Sequence, residues 1–111
     1  NLPSSGSNFK GIPVSSGAVK GIARVIKTVE SAEILLNGEI LVAPFTDPGW
    51  TPFFVNARGL VTELGGPLSH GSIIAREYGI PAVVNVKDIT KIVKTGQLIE
   101  VDGNKGIVSI I

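Results

Sequence analysis

With 111 residues, ten Lys and Arg against nine Asp and Glu and a formal charge of +1, the chain has the size of one domain and lacks the basic excess that nucleic-acid partners demand. It contains no cysteine, which excludes disulfides, thiolate catalysis and the commonest zinc sites and leaves the cytoplasm as the expected compartment. A hydrophobic content of 43% is that of a folded globular chain, but apolar runs such as Ile40 to Phe45 break at Pro44, Asp47 and Pro48, far short of the ~20 residues that cross a bilayer. No membrane partner is expected.

Residues Asn1 to Asn8 are polar, contain Pro3 and Gly6 and lack the basic and apolar regions of a secretory signal. Residues 1–10 are assigned to a linker and 11–111 to a single domain. Gly11 to Gly17 leads into Ala18 to Lys27, where Val19, Ile22, Val25 and Ile26 predict strand. Ser31 and Asn37-Gly38 bracket a short helix over 32–36. Glu39 to Pro44 has the continuous apolar character of a buried strand, followed by the turn formers Thr46-Asp47-Pro48-Gly49. A helix over Trp50 to Asn56, with Pro52 in its first turn, precedes a strand over Gly59 to Leu64.

Gly65-Gly66-Pro67 interrupts the chain before the clearest helix, His70 to Tyr78. That helix has Ser69 in the N-cap position, Ile73, Ile74 and Tyr78 on one face, Gly79 just beyond its end and Pro81 further on. A strand over Pro81 to Val86, a short helix over Asp88 to Val93 and a terminal hairpin of Leu98 to Val101 with Ile107 to Ile111 complete an α/β pattern of short strands and a few short helices. Ser16 to Ile22 and Asp102 to Ile107 space their glycines alike and read as two similar turns.

His70 is the one histidine, at the start of that helix. A helix N-terminus offers unpaired N–H groups and partial positive charge, which favour a phosphate nearby. An unprotonated imidazole nitrogen attacks phosphorus without a strong base, and the ring is afterwards a good leaving group. Gly65 and Gly66 allow a donor to approach the backbone, Ser69 or Ser72 can orient the ring or donate to phosphate, and Arg76 can pair with phosphate oxygens. The bland reading of the same residues is a capping histidine, a turn, an N-cap serine and a solvated arginine.

The run from Gly65 to Val84, Gly-Gly-Pro-Leu-Ser-His-Gly-Ser-Ile-Ile-Ala-Arg-Glu-Tyr-Gly-Ile-Pro-Ala-Val-Val, closely resembles the phosphohistidine signature of the PEP-utilising enzymes. This family includes phosphoenolpyruvate synthase, pyruvate phosphate dikinase, rifampicin phosphotransferase and enzyme I of the sugar phosphotransferase system. The Thr46 to Pro52 loop and the Gly11 to Gly17 segment extend the resemblance over most of the chain, and the tryptophan in the loop favours the synthase and rifampicin-phosphotransferase branches. The resemblance implies a swivelling β/β/α phosphohistidine domain. It makes His70 the phosphoryl carrier and places Thr46 beside it. Leu68 stands where plant dikinases have a regulatory threonine, so control by phosphorylation is not expected there, and Asn85 replaces a common glycine.

The same resemblance implies partner domains in the parent protein, one binding nucleotide and one binding PEP or pyruvate, between which the carrier travels. No cofactor is expected on this domain alone, since it has no phosphate loop and no carboxylate cluster; Mg2+ and ATP are expected of the full-length enzyme. The expected function is carriage of a phosphoryl group by His70 in a phosphoenolpyruvate synthase-like phosphotransferase, with this chain inactive by itself. The alternatives are a carrier of rifampicin-phosphotransferase type, a non-catalytic swivelling or docking module, and a stand-alone phosphocarrier.

Overall fold

A computed structural model describes residues 7–31 and 34–111. In chain order the elements are β1 (Ser7–Lys10), β2 (Ile12–Ser15), β3 (Ala18–Val25), β4 (Glu39–Ala43), a 3-10 turn (Pro48–Trp50), α1 (Thr51–Phe54), β5 (Ala57–Thr62), α2 (His70–Tyr78), β6 (Ala82–Val84), α3 (Ile89–Ile92), β7 (Leu98–Asp102) and β8 (Ile107–Ile110).

The eight strands follow the order β1-β8-β7-β3-β4-β5-β6-β2. Pairings from β3 through β6 are parallel and the rest antiparallel. Strand β3 belongs to both halves, because Ala18 to Ile22 pair with β7 while Ala23 to Val25 pair with β4. The outermost strands, β1 and β2, are nonetheless joined by one residue, Gly11. Seven strand spacings would separate them by roughly 34 Å in a flat sheet, and one residue spans about 3.5 Å, so the sheet must fold back on itself. Gly11 makes this junction possible: its N–H donates to the Gly106 carbonyl at 2.8 Å, and a Cβ there would lie 2.4 Å from the Val84 carbonyl oxygen.

Folding back produces three layers. All five residues of β4 are buried, and they divide by alternation. Leu41 and Ala43 join Leu60, Val84, Trp50, Phe54 and Ala75 beneath the helices, whereas Ile40 and Val42 join Val61, Val83, Ile99, Val101 and Val108 between the two sheets. Parallel strands covered on both faces lack polar positions, which is why Glu39 to Pro44 reads as a continuous apolar run. Each such Ile, Leu or Val contributes about 1.5–3 kcal/mol on burial. The β/β/α layering agrees with the swivelling-domain expectation.

Four expectations change. The N-terminal linker was drawn to residue 10, but Ser7 to Lys10 form β1, paired with Ile110 to Ile107 of β8; residues 1–6 lie outside the described residues. The helix expected over 32–36 includes Ala32 and Glu33, also outside the described residues, and Ile34 to Leu36 are not helical. There Leu35 is buried, its carbonyl accepts from Asn56 Nδ2, and the Leu36 N–H donates to Glu39 Oε1 at 2.8 Å, so these backbone groups are engaged outside any helical ladder. The helices expected over 50–56 and 88–93 are confined to single turns, α1 and α3. The two turns with similar glycine spacing bind each other: Gly17 N–H donates to Asn104 Oδ1 and Gly103 N–H to the Gly17 carbonyl. Among the described residues no helix is long and apolar enough to cross a membrane.

Candidate functional site

Strands β4 and β5 run parallel, and the loops leaving their C-terminal ends meet at the start of α2. The β4 loop carries Thr46; the β5 loop carries Gly65 to Ser69 and delivers His70 as the first helical residue. Ligand sites of open parallel sheets form at this end of the strands, because the connecting loops are free to vary there.

Thr46 Oγ1 lies 3.1 Å from His70 Nδ1. Phe54 of α1 presents its ring edge-on to the imidazole, with centroids 6.2 Å apart and planes at 77°. One ring nitrogen is therefore engaged, and the partly buried imidazole packs against Phe54.

The loop before His70 is held from within. Ser69 Oγ and Ser72 Oγ both donate to the Gly66 carbonyl, at 2.8 and 2.7 Å, and lie 3.0 Å from each other. Ser69 occupies the N-cap position, yet its hydroxyl makes no capping bond. The leading N–H groups of α2 thus have no side-chain acceptor from the cap. Gly65 takes a positive φ of 137°, and a Cβ on it would lie 2.9 Å from Ser69 Oγ, whereas Gly66 faces open space.

Arg76 was expected as a phosphate partner. Its Nη1 instead donates to the Val14 carbonyl at 2.8 Å and its Nη2 to the Pro67 carbonyl at 2.5 Å, so it ties the loop to β2. Ser72 is fully buried and bonded to Gly66, which makes it a loop brace. Of the residues singled out in the sequence, the fold brings His70, Thr46, Ser69, Gly65 and Gly66 together, turns Ser72 toward the Gly66 carbonyl and turns Arg76 toward the carbonyls of Val14 in β2 and Pro67 in the loop. It adds Phe54, along with Phe45, Thr62 and Leu64, which line an open pocket of about 100 Å3 with Thr46, Gly65, Ser69 and Gly71. Only the Val and Thr content of β5 and the aromatics after Pro52 hinted at these, and neither marks a site by itself.

Asn85 has φ 62° and Asp88 φ 58°. Asparagine tolerates this left-handed conformation better than most residues, so Asn85 needs no glycine there. Among the described residues no three His, Asp or Glu side chains gather in a way that could hold a metal ion.

The family model of the PEP-utilising enzyme, mobile domain, matches residues 35–106. The chain is 55% identical over its whole length to a rifampicin phosphotransferase of Bacillus cereus and 45% identical over 89% of its length to a phosphoenolpyruvate synthase of Aeropyrum pernix. It spans about 12% of the length of each of these curated relatives. An NMR solution structure of Enzyme I superposes with a TM-score of 0.60 at 37% identity, covering 67% of this chain and 31% of that one.

Proposed function

Because the chain belongs to the PEP-utilising enzyme mobile-domain family, we propose that it carries a phosphoryl group on Nε2 of His70 and that residues 11–111, together with β1, form the carrier unit of a larger phosphotransferase. The observation that carries this reading is the 3.1 Å contact between Thr46 Oγ1 and His70 Nδ1 at the open start of α2. With Nδ1–H donating to the threonine, the lone pair lies on Nε2, the nitrogen left for attack.

The Nε2 lone pair attacks the donor's phosphorus, the Nε2–P bond forms, and the P–O bond to the donor breaks, its electron pair leaving with the oxygen. In the second step an acceptor oxygen attacks phosphorus and the Nε2–P bond breaks, returning the electron pair to the ring. The proton stays on Nδ1, held by Thr46, through both steps. The unsatisfied N–H groups at the start of α2 and the helix dipole favour the transferred anion. On this reading ATP and Mg2+ belong to a nucleotide-binding domain of the parent protein, with a further domain binding the acceptor. Use of ATP fits a cytoplasmic setting.

The higher identity to a rifampicin phosphotransferase than to a phosphoenolpyruvate synthase, 55% against 45%, favours an antibiotic-phosphorylating parent over a pyruvate-converting one. Phosphorus NMR with intact-mass measurement, after incubation with phosphoramidate, tests the carrier role. A base-stable, acid-labile phosphoramidate is expected on the native chain and absent from His70→Ala; equal labelling of the two would refute it.

A further inference from the structure

Four large apolar side chains stand exposed around His70. Leu68, two residues before it, is 84% exposed, and Ile73, one helical turn after it, is 41% exposed. Leu64 and Phe45, 63% and 46% exposed, line the pocket that Thr46 and Ser69 share. Burying these residues elsewhere was open to the fold, which buries Leu35, Leu41 and Leu60 almost completely.

The charged groups nearest this rim in sequence are engaged. Glu63 accepts from both the N–H and the hydroxyl of Thr90, Asp47 accepts from the Gly49 N–H, and Arg76 donates to two carbonyls. Glu77, exposed, is two turns further along α2. Leu64 also lines a second pocket with Glu63, Asn85, Lys87 and Asp88, so the rim is apolar beside Thr46 and Ser69 and charged beyond Leu64.

We propose that Phe45, Leu64, Leu68 and Ile73 form the seat onto which the phosphoryl-donor domain of the parent protein docks, through a complementary apolar mouth around its donor site. The proposal rests on His70 being the carrier. In-line transfer brings the donor's phosphorus within about 3–3.5 Å of Nε2, so the surface framing that nitrogen is the surface a donor site must cover. Relatives about eight times longer than the matched segment supply room for such a domain. A contact driven by apolar burial is non-directional, and it can be made and released repeatedly by a travelling carrier without rearranging ion pairs.

The test measures His70 phosphorylation by two donors. One is phosphoramidate, which needs no docking. The other is the Bacillus cereus relative with the segment aligned to this chain removed, supplied with ATP and Mg2+ and first shown to label that excised segment added back. For Leu68→Asp and Ile73→Asp, the carrier concentration giving half-maximal rate with the protein donor should rise at least tenfold, while phosphoramidate labelling changes less than twofold. Leu36→Asp, an exposed site beside the N-terminal end of β4, should match the native chain with both donors. Equal protein-donor kinetics for native and rim variants would overturn the docking proposal, as would labelling of the native chain by phosphoramidate but not by the protein donor. Absence of native labelling by either donor would instead overturn the carrier reading beneath it.

Discussion

The two ends of the β4–β5 strand pair are built on opposite principles. At the N-terminal end Glu39 is clamped by Arg24, with Nε to Oε1 and Nη2 to Oε2 both at 2.9 Å, and it also accepts the Leu36 N–H. Nearby, Asn56 Nδ2 donates to the Leu35 carbonyl and Gly38 N–H to that of Asn56. Every group named there is directed at closing the layer. At the C-terminal end the polar groups brace a loop, but a ring nitrogen, a helix start and four apolar side chains remain open. One end holds the fold, and the other, on the carrier reading, presents the reactive group. The carrier reading needs both, since a moving domain must be rigid to keep His70 aimed.

Removing the reactive group should leave the closed end untouched. His70→Asn should abolish phosphorylation while shifting stability, by urea unfolding, no more than about 0.5–1 kcal/mol; a loss of several kcal/mol would make the histidine structural. The converse substitution, Glu39→Ala, strands Arg24 of its bidentate partner in a largely buried setting. It should cost about 2–4 kcal/mol of stability, with phosphoramidate labelling of His70 unchanged under folding conditions, and an altered labelling rate would show the two ends to be coupled.

Thr46→Val preserves shape and removes one hydrogen bond of about 1–1.5 kcal/mol, so labelling of His70 should slow roughly tenfold. Nitrogen-15 NMR of the ring should then report mixed tautomers in place of one, and an unchanged spectrum would argue against Thr46 as the orienting residue. The smallest effect concerns acid. Hydrogen bonding to Arg24, and secondarily to the Leu36 N–H, lowers the Glu39 carboxyl below its ordinary value of 4.5 against the opposing cost of burial. A carboxyl lowered on folding adds stability above its unfolded value, and this is lost as pH falls below about 4.5 through the folded one. Glu39→Gln should flatten the stability profile in that window relative to the native chain, and parallel profiles would assign the acid sensitivity elsewhere.

Legibility in the sequence followed the same division. The helix of His70 to Tyr78 was readable because local chemistry decides it: Ser69 in extended conformation before it, and Gly79 at φ 70° after it, whose N–H closes on the Ala75 and Arg76 carbonyls. Strand β4 was readable from its apolar run. The roles of Ser69 and Arg76 were not, because capping and phosphate binding compete with carbonyls that only the folded loop brings near. The strand β1 was equally hidden, since its partner β8 lies about 100 residues away in sequence.

What the sequence determined by itself was the series of short strands and helices, His70 at a helix start, and, through an unbroken signature, the family. Those features depend on neighbours within a few residues, where capping, turn preference and apolar periodicity act. The resemblance placed Thr46 beside His70; only the tertiary structure decided that its hydroxyl meets Nδ1, that Arg24 and Glu39 lock the opposite end, and that Leu64 and Leu68 stay exposed beside His70. Such pairings depend on which loop ends the folded sheet brings within about 3 Å of one another, a distance that no local pattern encodes.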